Sequence, residues 1–140
     1  MKKMITTVIL LILTMFVMKG FSQTLTDVRM DKDSYSINQT WKVYFSTTIN
    51  QGPSAKYKVK CYYTCVGEKY IDETTFTIQN NSYSKNGSFS GNTGIVADNN
   101  KVYGLPKSIS SYMTMKLYRI GNNGEEVFLD SKKANFKVER

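Results

Sequence analysis

Histidine is absent from the sequence. The imidazole that drives Ser-His-Asp and Cys-His nucleophile activation is therefore missing, and with it most transition-metal sites. Cysteine occurs only at Cys61 and Cys65, with no second pair elsewhere, so the four ligands of a zinc site cannot be gathered from thiols and imidazoles. No G-x-S-x-G elbow is present: GSFSG at 87–91 has Phe89 where the serine would stand. Phosphate-loop and dinucleotide fingerprints are missing as well. After residue 22 no stretch carries a sustained helical apolar stripe, and no second long apolar run follows the first. These absences set helical folds and most cofactor-dependent or hydrolytic chemistry aside. No cofactor, metal or catalytic residue is expected, and the chain reads as a non-enzyme.

What is present begins at the N-terminus. Lys2 and Lys3 precede the apolar run Met4–Met18, and Gly20-Phe21-Ser22 places small residues at −3 and −1 of a cut before Gln23. This is the three-part layout of a secretory signal peptide. The run is shorter than the ~20 residues a spanning helix needs. An uncleaved anchor is the rival reading, because Lys19 stands beside the cut; a lipid anchor would need a cysteine directly after it. Residues 1–22 are thus expected to be a signal peptide and 23–140 one domain, with no membrane span in the mature chain. Cleavage removes Lys2, Lys3 and Lys19 and lowers the formal charge from +8 to +5. Secretion argues against a nucleic-acid partner. The expected location is the medium, the periplasm or the cell envelope.

Beyond Gln23 the apolar period is two. Trp41, Val43, Phe45, Thr47 and Ile49 alternate with Lys42, Tyr44, Ser46 and Thr48. Tyr57, Val59, Cys61, Tyr63 and Cys65 alternate with Lys56, Lys58, Lys60, Tyr62 and Thr64. The segments 74–79, 112–120 and 135–138 repeat the pattern, placing Phe76, Ile78, Met113, Met115, Leu117, Phe136 and Val138 on the inner side. Such alternation is that of antiparallel sheets with one dry and one wet face. Asn- and Gly-rich breaks at 50–54, 80–87, 91–94, 98–100 and 121–126 supply turns. About seven short strands predict an all-β, antiparallel two-sheet β-sandwich. The stretch 80–111 reads as a long loop or as weak edge strands.

The segment DSYSINQTWKVYF (33–45) resembles the opening of immunoglobulin-like modules in secreted bacterial proteins. There a tyrosine precedes a turn and an alternating apolar strand; Tyr35, Asn38, Trp41, Val43 and Phe45 take those places. The resemblance implies an immunoglobulin-like sandwich and leaves activity open. Trp41 precedes both cysteines, unlike the antibody arrangement in which they flank it.

On an extended strand Cys61 and Cys65 lie ~13 Å apart on one side, beyond the ~7 Å a disulfide spans. Buried free thiols are one reading, a disulfide across a turn near Tyr63 a second, and intermolecular or reactive chemistry a third. Adjacent carboxylates at Asp72-Glu73 and Glu125-Glu126 would face opposite sides of a strand, which suits solvated charge better than a hydrolase pair. Asp27, Asp31 and Asp33 fit no calcium loop, and Lys32 interrupts them.

The wet faces suggest one candidate surface. Tyr44, Lys58, Lys60, Tyr62, Lys116 and Tyr118 all point outward, as does Tyr112. In an immunoglobulin-like topology the third and sixth strands share a sheet, which would bring Lys58, Lys60 and Tyr62 toward Lys116 and Tyr118. Aromatic rings with polar tips suit protein interfaces and can stack on sugars. Cross-strand Tyr–Lys pairs also stabilise a sheet without any ligand. The expected function is a secreted binding module recognising protein or glycan through this Tyr/Lys face. The alternatives are a periplasmic inhibitor or accessory subunit of a larger envelope enzyme or complex, which predicts a projecting loop within 80–111, and a small hydrolase.

Overall fold

The computed structural model describes residues 22–50, 54–65, 67–79, 83–93 and 107–139. The apolar leader lies outside the described residues, as do 51–53, 80–82 and 94–106, and with them the turn at 98–100. Among the described residues eight strands form, where about seven were expected: β1 (Ser22–Met30), β2 (Ser34–Ser36), β3 (Thr40–Asn50), β4 (Ala55–Thr64), β5 (Glu68–Ile78), β6 (Tyr83–Asn92), β7 (Ser108–Ile120) and β8 (Glu126–Glu139). Within the irregular stretch 80–111, residues 83–92 form the ten-residue edge strand β6 and 108–111 open β7.

Two sheets result, in the orders β1-β3-β6 and β2-β8-β7-β4-β5. Every pairing is antiparallel except that of the short β2, which runs parallel to β8. Alternation alone does not distinguish these directions, so this pair was not foreseen. The inner faces hold the residues that the period of two assigned to them. Trp41, Val43, Phe45, Ile49, Tyr57, Val59, Cys61, Tyr63, Met113, Met115, Leu117, Phe136 and Val138 are all buried in one core. Each large apolar side chain there contributes ~1.5–3 kcal/mol by leaving water.

The GSFSG stretch has a packing role. Phe45 lies opposite Gly87 and Trp41 opposite Gly91 in the β3–β6 register. A Cβ on Gly91 would sit 2.5 Å from the Trp41 ring, and one on Gly87 would collide with Phe45. The two glycines let both rings lie across β6, while Phe89 stacks on Phe45 with centroids 5.6 Å apart.

The turn that opens β3 forms as expected. Tyr35 places its ring edge-on to Phe136 at 5.4 Å. Its hydroxyl donates to Asp31 Oδ1, which also accepts the Lys42 N–H at 3.0 Å. Asn38 adopts φ 65°, a left-handed conformation that asparagine tolerates.

One lateral side of the two sheets is tied by side chains of β8. A register shift in β1 between Leu25 and Asp27 interrupts its ladder with β3. There Asp130 Oδ2 accepts the Leu25 N–H at 2.8 Å, and Lys132 Nζ donates to the Thr26 carbonyl at 2.9 Å.

Candidate functional site

The site is the outer face of the five-stranded sheet, centred on the β4–β7 pair. Their register sets Lys58 opposite Tyr118, Lys60 opposite Lys116 and Tyr62 opposite Thr114. Two ammonium groups face to face would repel. Each instead leans diagonally onto a ring of the other strand. Lys60 Nζ stands 5.0 Å from the Tyr118 centroid and Lys116 Nζ 4.2 Å from that of Tyr62. The geometry is that of cation–π contacts, worth ~0.5–1 kcal/mol each at exposed sites.

Carboxylates from the flanking strands complete the charge pattern. Lys58 bridges Glu73 at 2.8 Å and Glu126 at 2.9 Å, Lys60 reaches Glu126 at 2.5 Å, and Lys116 reaches Glu68 at 3.1 Å. Hydrogen bonds from Lys58 and Lys60 hold Glu126 below the ordinary carboxylate range, and the bond from Lys58 does the same for Glu73. The same bonds raise Lys58 and Lys60. Three cations are thus balanced by three anions.

Two bulges finish the surface. In β5 the register passes from Asp72 to Tyr70 between Cys61 and Tyr62, leaving Ile71 as the extra residue. In β8 it passes from Asp130 to Phe128 between Leu117 and Tyr118, leaving Leu129 extra. Ile71 and Leu129 pack against the core. Tyr70 and Phe128 are thereby turned out, 48% and 56% exposed. Tyr70 meets Tyr62 edge-to-face at 5.8 Å, and Phe128 meets Tyr118 in the same way at 5.8 Å. A band of four rings crosses β5, β4, β7 and β8.

Five of the six expected site residues come together here: Lys58, Lys60, Tyr62, Lys116 and Tyr118. Tyr44 does not. It lies on β3 in the three-stranded sheet, between Arg29 at 5.6 Å and Lys42 at 5.1 Å. Tyr112 shares the five-stranded face further along β7, with Lys133 Nζ 4.3 Å from its ring. Tyr70, Phe128, Glu68, Glu73 and Glu126 were not foreseen at the site. Carrying the inward set of β5 back from Ile78 and Phe76, or that of β8 back from Val138 and Phe136, assigns Tyr70 and Phe128 to the core. Each bulge reverses that parity.

The neighbouring carboxylates do not act as sequence-adjacent pairs. Glu73 and Glu126 instead meet across the sheet at Lys58. Asp72 accepts the Glu73 N–H at 2.8 Å, and Glu125 accepts the Asn123 N–H at 3.1 Å in the β7–β8 turn. Asp27 pairs with Arg29 at 2.9 Å. Both cysteines are free: Cys61 is buried, and Cys65 half-buried beyond the end of β4. Burial first, then the Asp72 charge, pushes the Cys61 thiol up to about 12.

No protein-family model matches the chain. No curated protein matches it either. Solved structures do resemble it in fold. A β-glucosidase from Listeria innocua aligns with TM-score 0.55 at 10% identity over 86% of this chain. The alkylpurine DNA glycosylase AlkC of Pseudomonas fluorescens aligns with TM-score 0.56 at 12% identity over 89%. The C-terminal domain of Wzt aligns with TM-score 0.58 at 9% identity over 86%, covering 74% of that domain. The chain spans 16% of the glucosidase and 32% of AlkC, so in both the likeness is to one part of a larger protein.

Proposed function

We propose that the chain is an exported, non-enzymatic interaction domain of immunoglobulin-like architecture, which recognises a protein or a glycan through the outer face of its five-stranded sheet. The observation that carries the reading is the band of Tyr70, Tyr62, Tyr118 and Phe128. It consists of two edge-to-face pairs on one sheet face, Tyr70–Tyr62 and Tyr118–Phe128, and the outer ring of each pair is open to solvent. Exposed aromatic groups on a rigid sheet suit a ligand that brings apolar surface and hydrogen-bonding groups together.

The strand order supports the architectural half. If β3, β4, β7 and β8 take the places of strands B, C, F and G, then A-B-E faces G-F-C, with an added strand beyond C. The leader of residues 1–22, with its cut near Ser22–Gln23, supports export. The lowered carboxyls of Glu73 and Glu126 support the non-enzymatic half, because a glycosidase acid must keep its proton near neutral pH. No described feature favours the accessory-subunit reading: 83–92 forms a sheet strand, and 94–106 lies outside the described residues.

The test compares three proteins, wild type, Tyr70→Ala/Phe128→Ala and Tyr44→Ala, in glycan-array binding and in pull-downs from envelope and culture fluid. The double variant is expected to lose at least ~10-fold in affinity, about 1.4 kcal/mol, and Tyr44→Ala to bind like wild type. Equal binding by all three would remove the face from consideration.

A further inference from the structure

Where β2, β8 and β7 run side by side, the five-stranded sheet carries a groove of about 490 Å³. Its lining includes Asp33, Ser110, Tyr112, Asn135 and Lys137. It adjoins the aromatic band, because Tyr112 lies on the same face of β7 as Lys116 and Tyr118. The two regions differ in one respect. On the band every lysine and glutamate is already paired. In the groove the side chains of Asp33, Ser110, Asn135 and Lys137 make no hydrogen bond or ion pair among the described residues.

We propose that this groove seats the terminal ring of a neutral saccharide. The inference rests on the glycan half of the reading above and names where and how the sugar is held. Asp33 accepts hydrogen bonds, Lys137 donates them, and Asn135 and Ser110 do both, the mixture that vicinal hydroxyls require. The opposite charges of Asp33 and Lys137 offset one another, and Lys133 is held against the Tyr112 ring, so the groups left free in the groove suit an uncharged ligand. The Tyr112 ring supplies the apolar wall against which a sugar's C–H face packs. The volume falls within the range of small-molecule sites.

The backbone argues against an extended peptide in the same place. β8 is hydrogen-bonded to β2 on one side and β7 on the other, and β7 to β8 and β4. A ligand lying on this face meets no free ladder, since the one open edge here is the far side of the short β2, so on the face recognition runs through side chains.

The experiment is an oligosaccharide array carrying neutral glucans, mannans and N-acetylated chains beside uronate-bearing chains. It is probed with the wild-type protein, Asn135→Ala, Asp33→Asn and Tyr70→Ala/Phe128→Ala, each shown by thermal unfolding to be folded. Asn135→Ala and Asp33→Asn are expected to weaken binding to neutral chains at least ~10-fold, the loss that follows when buried hydroxyls go unpaired. If these two variants bind as wild type while the double variant does not, the groove is overturned and the band stands. If they lose binding while the double variant keeps it, the groove is supported and the band falls. Binding confined to uronate chains, or a blank array beside a protein ligand held by the band, would also overturn the groove.

Discussion

On β6 the outward residues are Ser84, Asn86, Ser88 and Ser90; on β4 they include Lys58, Lys60 and Tyr62. The two sheets share one core and one alternation, yet their outer faces differ. The three-stranded sheet shows Tyr44 between Arg29 and Lys42, the short hydroxyl and amide groups of β6 beside it, and Tyr83 at the end of a strand. The five-stranded sheet shows Tyr62, Tyr70, Tyr112, Tyr118 and Phe128, interleaved with lysines. Strand propensity favours tyrosine on any strand, and taken alone it would spread rings over both faces. Their concentration on one face needs a second cause, and the ligand contact proposed above is one that fits.

The hardest blow to this arrangement is expected at the glycines beneath the three-stranded face. Gly91→Val drives a branched side chain into Trp41 and should cost about 3 kcal/mol by overpacking. The urea midpoint would fall, while any residual folded protein should still bind through the other sheet. An unchanged midpoint would mean that Trp41 moves freely, contrary to its burial.

A smaller effect follows from the paired charges, and it sharpens the contrast because the serine-rich face lacks such a network. Glu73 and Glu126 have lowered pKa values, so their contribution is present above the ordinary 4.5 and lost as pH falls below it. Lys58 and Lys60 have raised values, so theirs is present below 10.5 and lost as pH rises above it. Solvent screening keeps such partly exposed pairs to ~1 kcal/mol or less. Glu126→Gln should flatten the acid limb of a pH-stability curve and leave the neutral region nearly unchanged. Identical acid limbs for variant and wild type would show that the pairs are not formed in solution.

The smallest effect is expected where a ring is transplanted. Ser88→Tyr on the exposed side of β6 should change stability by less than ~0.5 kcal/mol and leave ligand binding as it was. If it gave the three-stranded face binding of its own, exposed tyrosine anywhere would suffice, and the comparison would lose its meaning.

The core was legible because burial enforces a period of two, which β3 and the middle of β4 obey without interruption, while in β7 Thr114 is buried as well as Met113 and Met115. Residues 33–45 were legible for a similar reason: Tyr35, Asn38 and Trp41 each perform a distinct local task. Lys58, Lys60, Tyr62, Lys116 and Tyr118 followed from the same alternation once β4 and β7 were placed side by side. The ends of the aromatic band did not. Ile71 and Leu129 each insert one residue, and nothing in the local composition marks a bulge in advance. The sheet assignment of Tyr44 was equally hidden, since facing outward does not say from which sheet. Glu73 and Glu126 lie far apart in sequence and meet only across the sheet at Lys58, which adjacency along the chain does not reveal.

The strand β8 follows the other seven in sequence and touches β7, β2 and β1 together. A nascent polypeptide still missing those fourteen residues has no ladder for β2 and no clip for Leu25. Closure of the two sheets must therefore wait for β8, although β1-β3-β6 and β7-β4-β5 have ladders of their own. A domain that closes only with its last strand suits the export proposed above.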